Sequence, residues 1–219
     1  MAKGENLDLP ELSDSDIATL LSPFGARLFA DQMSKVREYI RILLKWNELI
    51  SLTSITDPAE IVARHFGESM FLNSILPVEN GRLADVGSGA GFPGLALKIL
   101  CPDLHVLLIE SNKRKCAFMS EVVRSLKLER VEVLPTRFEE IRTERDFANF
   151  VTVRAVGGFP NLLRWARRSL SERSHVALWV GGEDTTKISS TATAGWTWQP
   201  AVRIPESQRR FILIGRPRT

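Results

Sequence analysis

The feature that most constrains the fold is a glycine-rich turn directly after a short apolar run. Residues 82–86 are typical of a buried β-strand, the turn Gly87-Ser88-Gly89-Ala90-Gly91 follows, and an apolar helical stretch comes next. Glycine allows positive φ and lets the backbone approach a ligand closely. Strand, glycine-rich turn and helix in this order are typical of cofactor sites in α/β sheets. The sequence therefore predicts a cofactor site whose backbone includes Gly87, Gly89 and Gly91.

Beyond residue 80, short apolar runs alternate with helical stretches, which predicts an α/β fold with a mostly parallel sheet. The predicted strands are Arg82–Val86, His105–Ile109, Val131–Leu134, Phe150–Val153, His175–Val180, Trp196–Ile204 and Arg210–Gly215. The predicted helices are Leu95–Leu100, Lys113–Leu126, a short one near Phe138–Ile141, and Asn161–Leu170. The last two strands form an antiparallel hairpin that completes a seven-stranded sheet, and Thr185–Ala194, rich in Ser and Thr, is predicted to be a flexible surface loop.

The first 80 residues have a helical pattern instead. Apolar residues from Met33 to Leu44 recur at spacings of three and four, which predicts an amphipathic helix that begins near Asp31. Asp57-Pro58-Ala59-Glu60 then combines a capping acid with proline at the first helical position, which predicts a second helix to about Leu76. We expect a small N-terminal helical extension over 1–80 and the main domain over 81–219.

Several classes of protein are disfavoured by composition. The N-terminus has no apolar run behind a basic cluster, and no segment approaches the ~20 apolar residues that span a bilayer. The two cysteines, Cys101 and Cys116, lack metal-ligand spacing, so reduced thiols are favoured over a disulfide or a zinc site. We expect a soluble, cytoplasmic protein without a metal ion, and no long coiled-coil pattern calls for an oligomer.

Charge is distributed unevenly along the chain. Residues 1–80 hold 7 Lys and Arg against 12 Asp and Glu, a balance of −5, whereas residues 113–173 hold 14 against 8, a balance of +6. A solvated face explains many such runs, but basic residues beside a candidate active site also suit a polyanion such as RNA. Charge alone leaves both interpretations open.

Two acids distinguish the cofactors that the turn could bind. Gly89 to Gly94 also satisfies the G-x-G-x-x-G dinucleotide pattern. Asp85, two residues before the first glycine, would repel a pyrophosphate but is compatible with the cationic sulfonium and amino groups of S-adenosylmethionine. Glu110, at the end of the second predicted strand, can accept hydrogen bonds from ribose hydroxyls of either cofactor. Asp85 and Glu110 together therefore favour S-adenosylmethionine over a dinucleotide as the cofactor.

Six short segments on both sides of the turn match one family. They are Asp85–Gly94 with its Phe92-Pro93-Gly94 ending, Lys45–Asn47, Leu52–Ser54, Arg64–His65, Arg137–Glu140 and Arg154–Ala155. With them, the chain resembles the glucose-inhibited division protein B family over about residues 30–180. Members of that family are bacterial methyltransferases that act on N7 of a guanosine in 16S rRNA, near the decoding centre of the small ribosomal subunit.

The resemblance implies a fold, a cofactor and a set of roles. The fold is the class I S-adenosylmethionine-dependent methyltransferase fold, which is Rossmann-like, so residues 81–219 would be the methyltransferase domain. Gly87, Phe92, Phe138 and Glu139 would contact the donor, and Arg154 would lie between donor and substrate. Three positions depart from the family pattern: Glu68 replaces an Asp, Phe138 a small residue, and Val180 a common lysine.

Guanine N7 has a free lone pair and no proton to lose, so the reaction needs positioning more than a general base. The chain has no adjacent prolines and no Pro-Cys pair, which argues against the motifs used to methylate exocyclic amines and pyrimidine C5.

Arg154 is the candidate catalytic residue, and the alternative is that it pairs with an acid. His65 either contacts RNA or cofactor, or packs in the core. The candidate RNA-binding residues are His65, Lys113, Arg114, Lys115, Arg137, Arg164 and Arg167.

Two other functions stay open at this point. The same architecture could methylate a small molecule or a protein, or the chain could be a non-catalytic RNA-binding module. The intact turn with Asp85 and Glu110 argues against a pure RNA binder, because such a protein needs no donor pocket. The basic middle section and the family resemblance argue against a small-molecule enzyme.

Overall fold

A computed structural model describes residues 12–142, 144, 147–154, 159–191 and 195–218. The strands are β1 Arg82–Val86, β2 His105–Ile109, β3 Val131–Leu134, β4 Phe150–Arg154, β5 His175–Gly181, β6 Trp196–Trp198, β7 Val202–Arg203 and β8 Arg210–Pro217. The α-helices are α1 Asp14–Leu21, α2 Ala30–Asn47, α3 Pro58–Ile61, α4 Glu68–Ile75, α5 Gly94–Leu100, α6 Lys113–Ser125, α7 Phe159–Ser169 and α8 Gly182–Thr191. Short 3-10 helices cover Ser22–Phe24 and Phe138–Glu140.

The sheet has the order β3-β2-β1-β4-β5-β8-β6, and β7 pairs with β8. Strands β1 to β5 are parallel, and β8 is antiparallel to β5, which confirms the predicted α/β class and the C-terminal hairpin. The chain crosses to opposite sides of β1 when it forms β2 and β4. Ligands bind at such a switch point, beyond the carboxyl ends of the strands. For β1 that end leads directly into the glycine-rich turn.

The predicted number of seven strands is wrong, because the described residues form eight. The run predicted as one strand over Trp196–Ile204 is divided into β6 and β7 by residues 199–201. Pro200 lies in this break and has no N–H to donate to a neighbouring strand. Both short strands nevertheless pair with β8, so the predicted hairpin is preserved.

The predicted loop over Thr185–Ala194 is also wrong for the residues that the structure describes. Helix α8 runs from Gly182 to Thr191, and residues 192–194 lie outside the described part of the chain. Ile188 supplies the apolar anchor and is buried in the core beside α7. Burial of Ile188 contributes to holding the helix against the sheet, although its Ser and Thr content is typical of a loop.

Alternating side chains of the central strands divide between two hydrophobic clusters. Leu83 belongs to the cluster formed with α2, α5 and α6, whereas Ala84 and Val86 belong to the cluster with α7 and α8. This alternation follows from the pleat of a strand that is covered on both faces. The strand ends, and with them the glycine-rich turn, are therefore fixed from both sides.

The N-terminal helices share the first of these clusters, which joins Ile17, Leu43 and Phe66 to the sheet residues. The predicted helix after Asp57 is confirmed as a continuous helical segment over residues 58–75, of which Val62–Gly67 is a π-helix. Asp57 caps it through a 2.7 Å hydrogen bond from Glu60 N–H. The division at residue 80 stays a prediction, and residues 1–11 lie outside the described part. None of the described helices is long and apolar enough to span a membrane.

Candidate cofactor and acceptor site

The glycine-rich turn is fixed to β2 and to α5 by backbone hydrogen bonds. Gly87 N–H donates to Ile109 C=O over 2.8 Å, and Gly91 C=O accepts from Leu95 N–H over 2.7 Å. The three glycines of the turn have positive φ angles, which residues with a side chain rarely adopt: 70° at Gly87, 58° at Gly89 and 82° at Gly91. These values confirm that the turn needs glycine at the predicted positions.

Gly89 and Gly91 are glycines for different reasons. A Cβ on Gly91 would lie 2.4 Å from Tyr39 Oη and 2.6 Å from Leu95 Cδ1, so the core leaves no space there. A Cβ on Gly89 would have only Gly87 O within 4 Å, at 3.8 Å. The turn therefore has a packed side at Gly91 and an open side at Gly89, and a ligand can approach the open side.

Asp85 is fully buried at the end of β1. Its Oδ2 accepts a hydrogen bond from Gly94 N–H over 3.0 Å, and its Oδ1 accepts one from Thr152 Oγ1 over 2.9 Å. Burial raises the pKa of Asp85 to about 6, although the Thr152 and Gly94 hydrogen bonds oppose that rise. Because the carboxylate has no exposed surface, its influence on a ligand is electrostatic and passes through the position of Gly94.

Glu110, directly after β2, faces the open side of the turn. Its Oε2 accepts a hydrogen bond from Gly89 N–H over 3.1 Å, and its Oε1 accepts one from Asn112 N–H over 2.8 Å. A carboxylate has about four acceptor sites, so both oxygens keep capacity for ligand hydroxyls. The structure thus brings together Glu110 and Gly89, both of which the sequence assigned to the cofactor site, and their contact with a cofactor stays a prediction.

Phe92 lies inside an aromatic stack that joins the turn to the N-terminal helices. Its ring stacks on Tyr39 at 5.2 Å between centroids and on His65 at 4.9 Å. Tyr39 Oη also donates to Ala90 C=O over 2.6 Å. Phe92 is buried, so the contact with the donor that the resemblance implied is an untested prediction, and the observed role is to hold the turn against α2.

His65 is partly buried on the π-helix, and its Nε2 lies 2.8 Å from Thr53 Oγ1. Burial is the main reason that the pKa of His65 falls to about 3, and the charges of Arg154 and Arg64 add to it. His65 is therefore neutral at physiological pH. Its Nδ1 is buried without a hydrogen-bond partner among the described residues.

Arg154, the last residue of β4, is held by three groups of the helical segment. It donates to Arg64 C=O over 2.9 Å, to Ser69 Oγ over 3.3 Å and to Glu68 Oε2 over 3.2 Å. Its side chain is 18% exposed. Pairing with an acid was the alternative to a substrate role, and the pair with Glu68 is now observed. The neighbouring Ala155 lies outside the described residues.

Sequence reasoning missed Arg210, the first residue of β8. Its Nη2 lies 2.8 Å from Glu68 Oε1, and Arg64 Nε lies 3.3 Å from the same oxygen. Glu68, noted as a departure from the family pattern, is thus a buried carboxylate among three arginines. The signal for Arg210 was weak, because it is one of two adjacent arginines at the start of a predicted strand and only the register with Gly181 reveals its position.

Phe138 and Glu139 lie on the short 3-10 helix after β3. The Phe138 ring packs edge to face against Trp165 at 5.7 Å, while Glu139 and Arg137 are exposed. Glu110 N–H donates to Leu134 C=O, which brings the end of β3 beside Glu110. Both residues are therefore at the predicted edge, and their contact with a donor stays a prediction. Val180, where the family often has lysine, is buried.

The predicted RNA-binding residues fall at two places. Lys113, Arg114 and Lys115 form the first turn of α6, which begins three residues after Glu110. The helix dipole disfavours positive charge at this end of a helix. Cations kept there in spite of the dipole suit a nearby polyanion. Arg167 instead donates to Arg218 C=O at the far end of β8, beyond the amino end of β5, and so lies at the opposite edge from the turn.

Arg164 is exposed on α7 and donates to Asn161 over 3.3 Å.

Both cysteines are free and buried, and burial raises the pKa of Cys101 to about 11. Among the described residues, no group of three or more His, Cys, Asp or Glu could hold a metal ion. The site consists of the turn, two acids, the aromatic stack and the arginine cluster around Glu68.

Comparison with solved structures identifies the fold. The chain is similar to a ribosomal protein L11 methylase from Lactobacillus delbrueckii subsp. bulgaricus, with a TM-score of 0.59 and 15% identity over 72% of this chain and 80% of that one. At that identity the likeness concerns the fold alone. It confirms the class I S-adenosylmethionine-dependent methyltransferase architecture that the resemblance implied.

Comparison of sequences is more specific. The family model described as rRNA small subunit methyltransferase G matches residues 32–202. A relative of that name from Desulfitobacterium hafniense is 42% identical over 76% of this chain and 70% of its own length. Another, from Pseudomonas entomophila, is 34% identical over 92% of this chain and 94% of its own. The chain therefore belongs to the rRNA small subunit methyltransferase G family.

Proposed function

We propose that the protein transfers a methyl group from S-adenosylmethionine to N7 of a guanosine in 16S rRNA. Membership of the rRNA small subunit methyltransferase G family supplies the reaction class and the type of substrate. The geometric observation that carries the proposal is the hydrogen bond between Glu110 and Gly89, which places a carboxylate at the open side of the turn. Such a carboxylate suits a ribose, and such a turn suits the amino acid part of the donor.

The residues present fit the donor. Bound S-adenosylmethionine supplies an electrophilic methyl group on a sulfonium. Glu110 would accept hydrogen bonds from the ribose hydroxyls, and Gly87 and Gly89 would offer backbone close to the ligand. Phe138 and Glu139 would border the adenine. Asp85, buried behind Gly94, contributes negative charge that favours a cationic ligand over a pyrophosphate.

The acceptor side requires positioning more than proton transfer. Guanine N7 has a lone pair and loses no proton, so a base adds nothing to the step. Arg154 would orient the guanine or an adjacent phosphate with its planar donor fork, and Glu68 and Ser69 hold that fork in place. His65, neutral and stacked on Phe92, would line the same side of the pocket.

The RNA would approach the carboxyl edge of the sheet. Lys113, Arg114 and Lys115 lie there in one helical turn, and Arg137 follows β3 at the same edge. Arg164 and Arg167 would contact more distant phosphates. We further propose that the target guanosine lies near the decoding centre, that the protein acts as a monomer, and that it works in the cytoplasm.

One experiment separates this function from its alternatives. The purified protein is incubated with methyl-labelled donor and with small ribosomal subunits, or 16S rRNA, from a strain that lacks the modification. We expect label in the rRNA fraction. Label in ribosomal proteins or small molecules would support a different methyltransferase, and donor-independent RNA binding without transfer would support a non-catalytic module.

A further inference from the structure

Three arginines from separate parts of the fold meet at the carboxylate of Glu68, whose side chain is 1% exposed. Arg64 comes from the π-helix, Arg154 from the end of β4, and Arg210 from the start of β8. Arg210 Nη2 and Arg64 Nε lie 2.8 and 3.3 Å from Oε1, and Arg154 Nη2 lies 3.2 Å from Oε2. One buried carboxylate is thus shared by three guanidiniums.

Two acids contact this cluster directly. Glu60, which is exposed, pairs with Arg64 Nη1 at 3.0 Å, so two carboxylates contact three guanidiniums, a balance of +1 before the more distant Asp85 is counted. Asp85 acts on Arg154 through space, because its own hydrogen bonds go to Gly94 and Thr152. A partly buried cation without full compensation is costly, and a bound anion removes that cost.

Arg210 keeps hydrogen-bond donors that no described residue accepts. Its Nε is buried without a hydrogen-bond acceptor among the described residues, while its side chain keeps 33% exposure. Since a guanidinium presents five donors, a single contact with Glu68 leaves most of them available. The Arg154 side chain is 18% exposed. Arginine guanidiniums are well suited to bidentate binding of phosphate.

The position of the cluster relates it to methyl transfer. Arg154 follows Val153, which pairs with Val86 directly before the glycine-rich turn. Arg210 pairs with Gly181 at the carboxyl end of β5, so the C-terminal hairpin returns a cation to the same edge of the sheet. Trp179 Nε1 donates to Glu68 C=O over 3.0 Å, which ties the helical segment to β5. The anion would therefore lie next to the donor site.

We propose that Arg210, together with Arg154 and Arg64, binds a backbone phosphate of the RNA strand that carries the target guanosine. The identity of that RNA rests on the proposed function, whereas the anion site rests on the cluster itself. The other anion available at this edge is the carboxylate of the donor. It shares the chemistry of the site, and separate binding measurements distinguish the two.

The test compares Arg210→Gln with Arg203→Gln. Arg203 is an exposed arginine on β7, so its change removes the same charge from the same hairpin without touching Glu68. Binding to 16S rRNA is measured over a range of salt concentrations, and donor binding is measured by calorimetry without RNA. For Arg210→Gln we expect about tenfold weaker RNA binding and a salt slope lower by about 1, with unchanged donor affinity. Arg203→Gln should resemble the wild type.

Arg210→Lys keeps the charge and should restore most of the salt slope, and it also serves if the Gln variant fails to fold. Equal slopes for the Arg210 and Arg203 variants would overturn the phosphate site. Weaker donor binding with an unchanged RNA slope would overturn it in favour of the donor carboxylate. Absence of methyl transfer by the wild type would refute the proposed function alone, because the salt slope still decides whether Arg210 contacts phosphate.

Discussion

The carboxylate of Asp85 accepts a hydrogen bond from the backbone N–H of Gly94 over 3.0 Å, so the acid near the end of β1 holds the far end of the glycine-rich segment. Between these two residues lie the open side of Gly89 and the stacked ring of Phe92. This buried carboxylate is therefore one of the groups that hold the turn in shape. Its charge and its hydrogen bonds can be separated experimentally.

The first prediction concerns Asp85→Asn. The pKa of Asp85 is raised to about 6, so the folded protein holds a proton that the unfolded chain releases near pH 4. The contribution of Asp85 to stability is therefore present below pH 4 and is lost as pH rises through 6. Relative to the wild type, Asp85→Asn should gain on the order of 3 kcal/mol in free energy of unfolding between pH 4 and pH 7, measured by urea denaturation.

The same variant tests the electrostatic role of Asp85 in binding. An Asn side chain still accepts from Gly94 N–H but carries no charge, so donor affinity at pH 8 should fall while the fold is kept. Thr152→Val removes only the partner hydroxyl and serves as a comparison. Unchanged donor affinity in Asp85→Asn would refute the argument from charge.

A second prediction contrasts two glycines of the turn. Gly91→Ala places a methyl group against Tyr39 and Leu95 at φ of 82°, so it should lose about 2–4 kcal/mol of stability. Gly89→Ala has room for the methyl group and should lose only about 1–2 kcal/mol from backbone strain. Donor binding should nevertheless weaken in Gly89→Ala, because the methyl group occupies the open side of the turn. Thermal unfolding and calorimetry measure the two effects, and equal stability losses would contradict this account.

A third prediction concerns Glu110→Gln. The change removes one acceptor oxygen and the charge beside Gly89, and hydrogen bonds to charged groups contribute about 1.5–3 kcal/mol. Donor affinity should fall roughly 10- to 100-fold. Glu129→Gln is the control, since Glu129 is an exposed acid in the turn before β3, at the other edge of the sheet. If both variants bind the donor as the wild type does, Glu110 does not hold the ribose.

A fourth prediction uses His65→Phe, which keeps an aromatic ring against Phe92. The pKa of His65 is lowered to about 3. The unfolded chain therefore binds a proton near pH 6.5, whereas the folded protein binds it only near pH 3. The stability that His65 contributes is thus present above pH 6.5 and is lost as pH falls towards 3. The wild type should lose stability relative to His65→Phe from pH 7 to pH 4. The opposite trend would show that His65 is protonated in the fold.

A fifth prediction compares basic residues at the two edges of the sheet. A double variant that combines Lys113→Gln with Arg114→Gln should lower the salt slope of RNA binding by about 1 for each phosphate that it no longer neutralises. The double variant of Arg167→Gln and Arg168→Gln removes the same amount of charge from α7. Because Arg167 lies at the edge of the sheet opposite the glycine-rich turn, this variant should lower the salt slope of RNA binding less. A larger effect of the α7 pair would mean that RNA approaches the protein from the other edge.

Much of the fold was predictable because its signals are local. The strand β1, the glycine-rich turn and α5 follow from apolar runs and glycine positions, and the cap at Asp57 identified the start of the helical segment. The errors came where tertiary contacts decided the structure. Ile188, which is buried in the core, helps to hold α8 in place, and Pro200 divides a run that otherwise has the composition of one strand.

The residues proposed to bind the cofactor could be named from the sequence. Glu110 and Gly89 are 21 positions apart, and the pattern of strands and turn placed both at one edge of the sheet, although their direct hydrogen bond was not predicted. The acceptor half depends on residues that only the sheet register brings together. Glu68 and Arg210 are distant in sequence, and nothing in the local pattern of either residue indicates their 2.8 Å contact.

The most direct test of the central claim is the chemical identity of the methylated nucleoside. 16S rRNA from a strain without the modification is treated with the protein and S-adenosylmethionine, digested to nucleosides and analysed by mass spectrometry beside an untreated sample. We predict 7-methylguanosine, at one guanosine, only in the treated RNA. A methyl group on another atom or base, or unmodified RNA from a protein that binds the donor, would contradict this account.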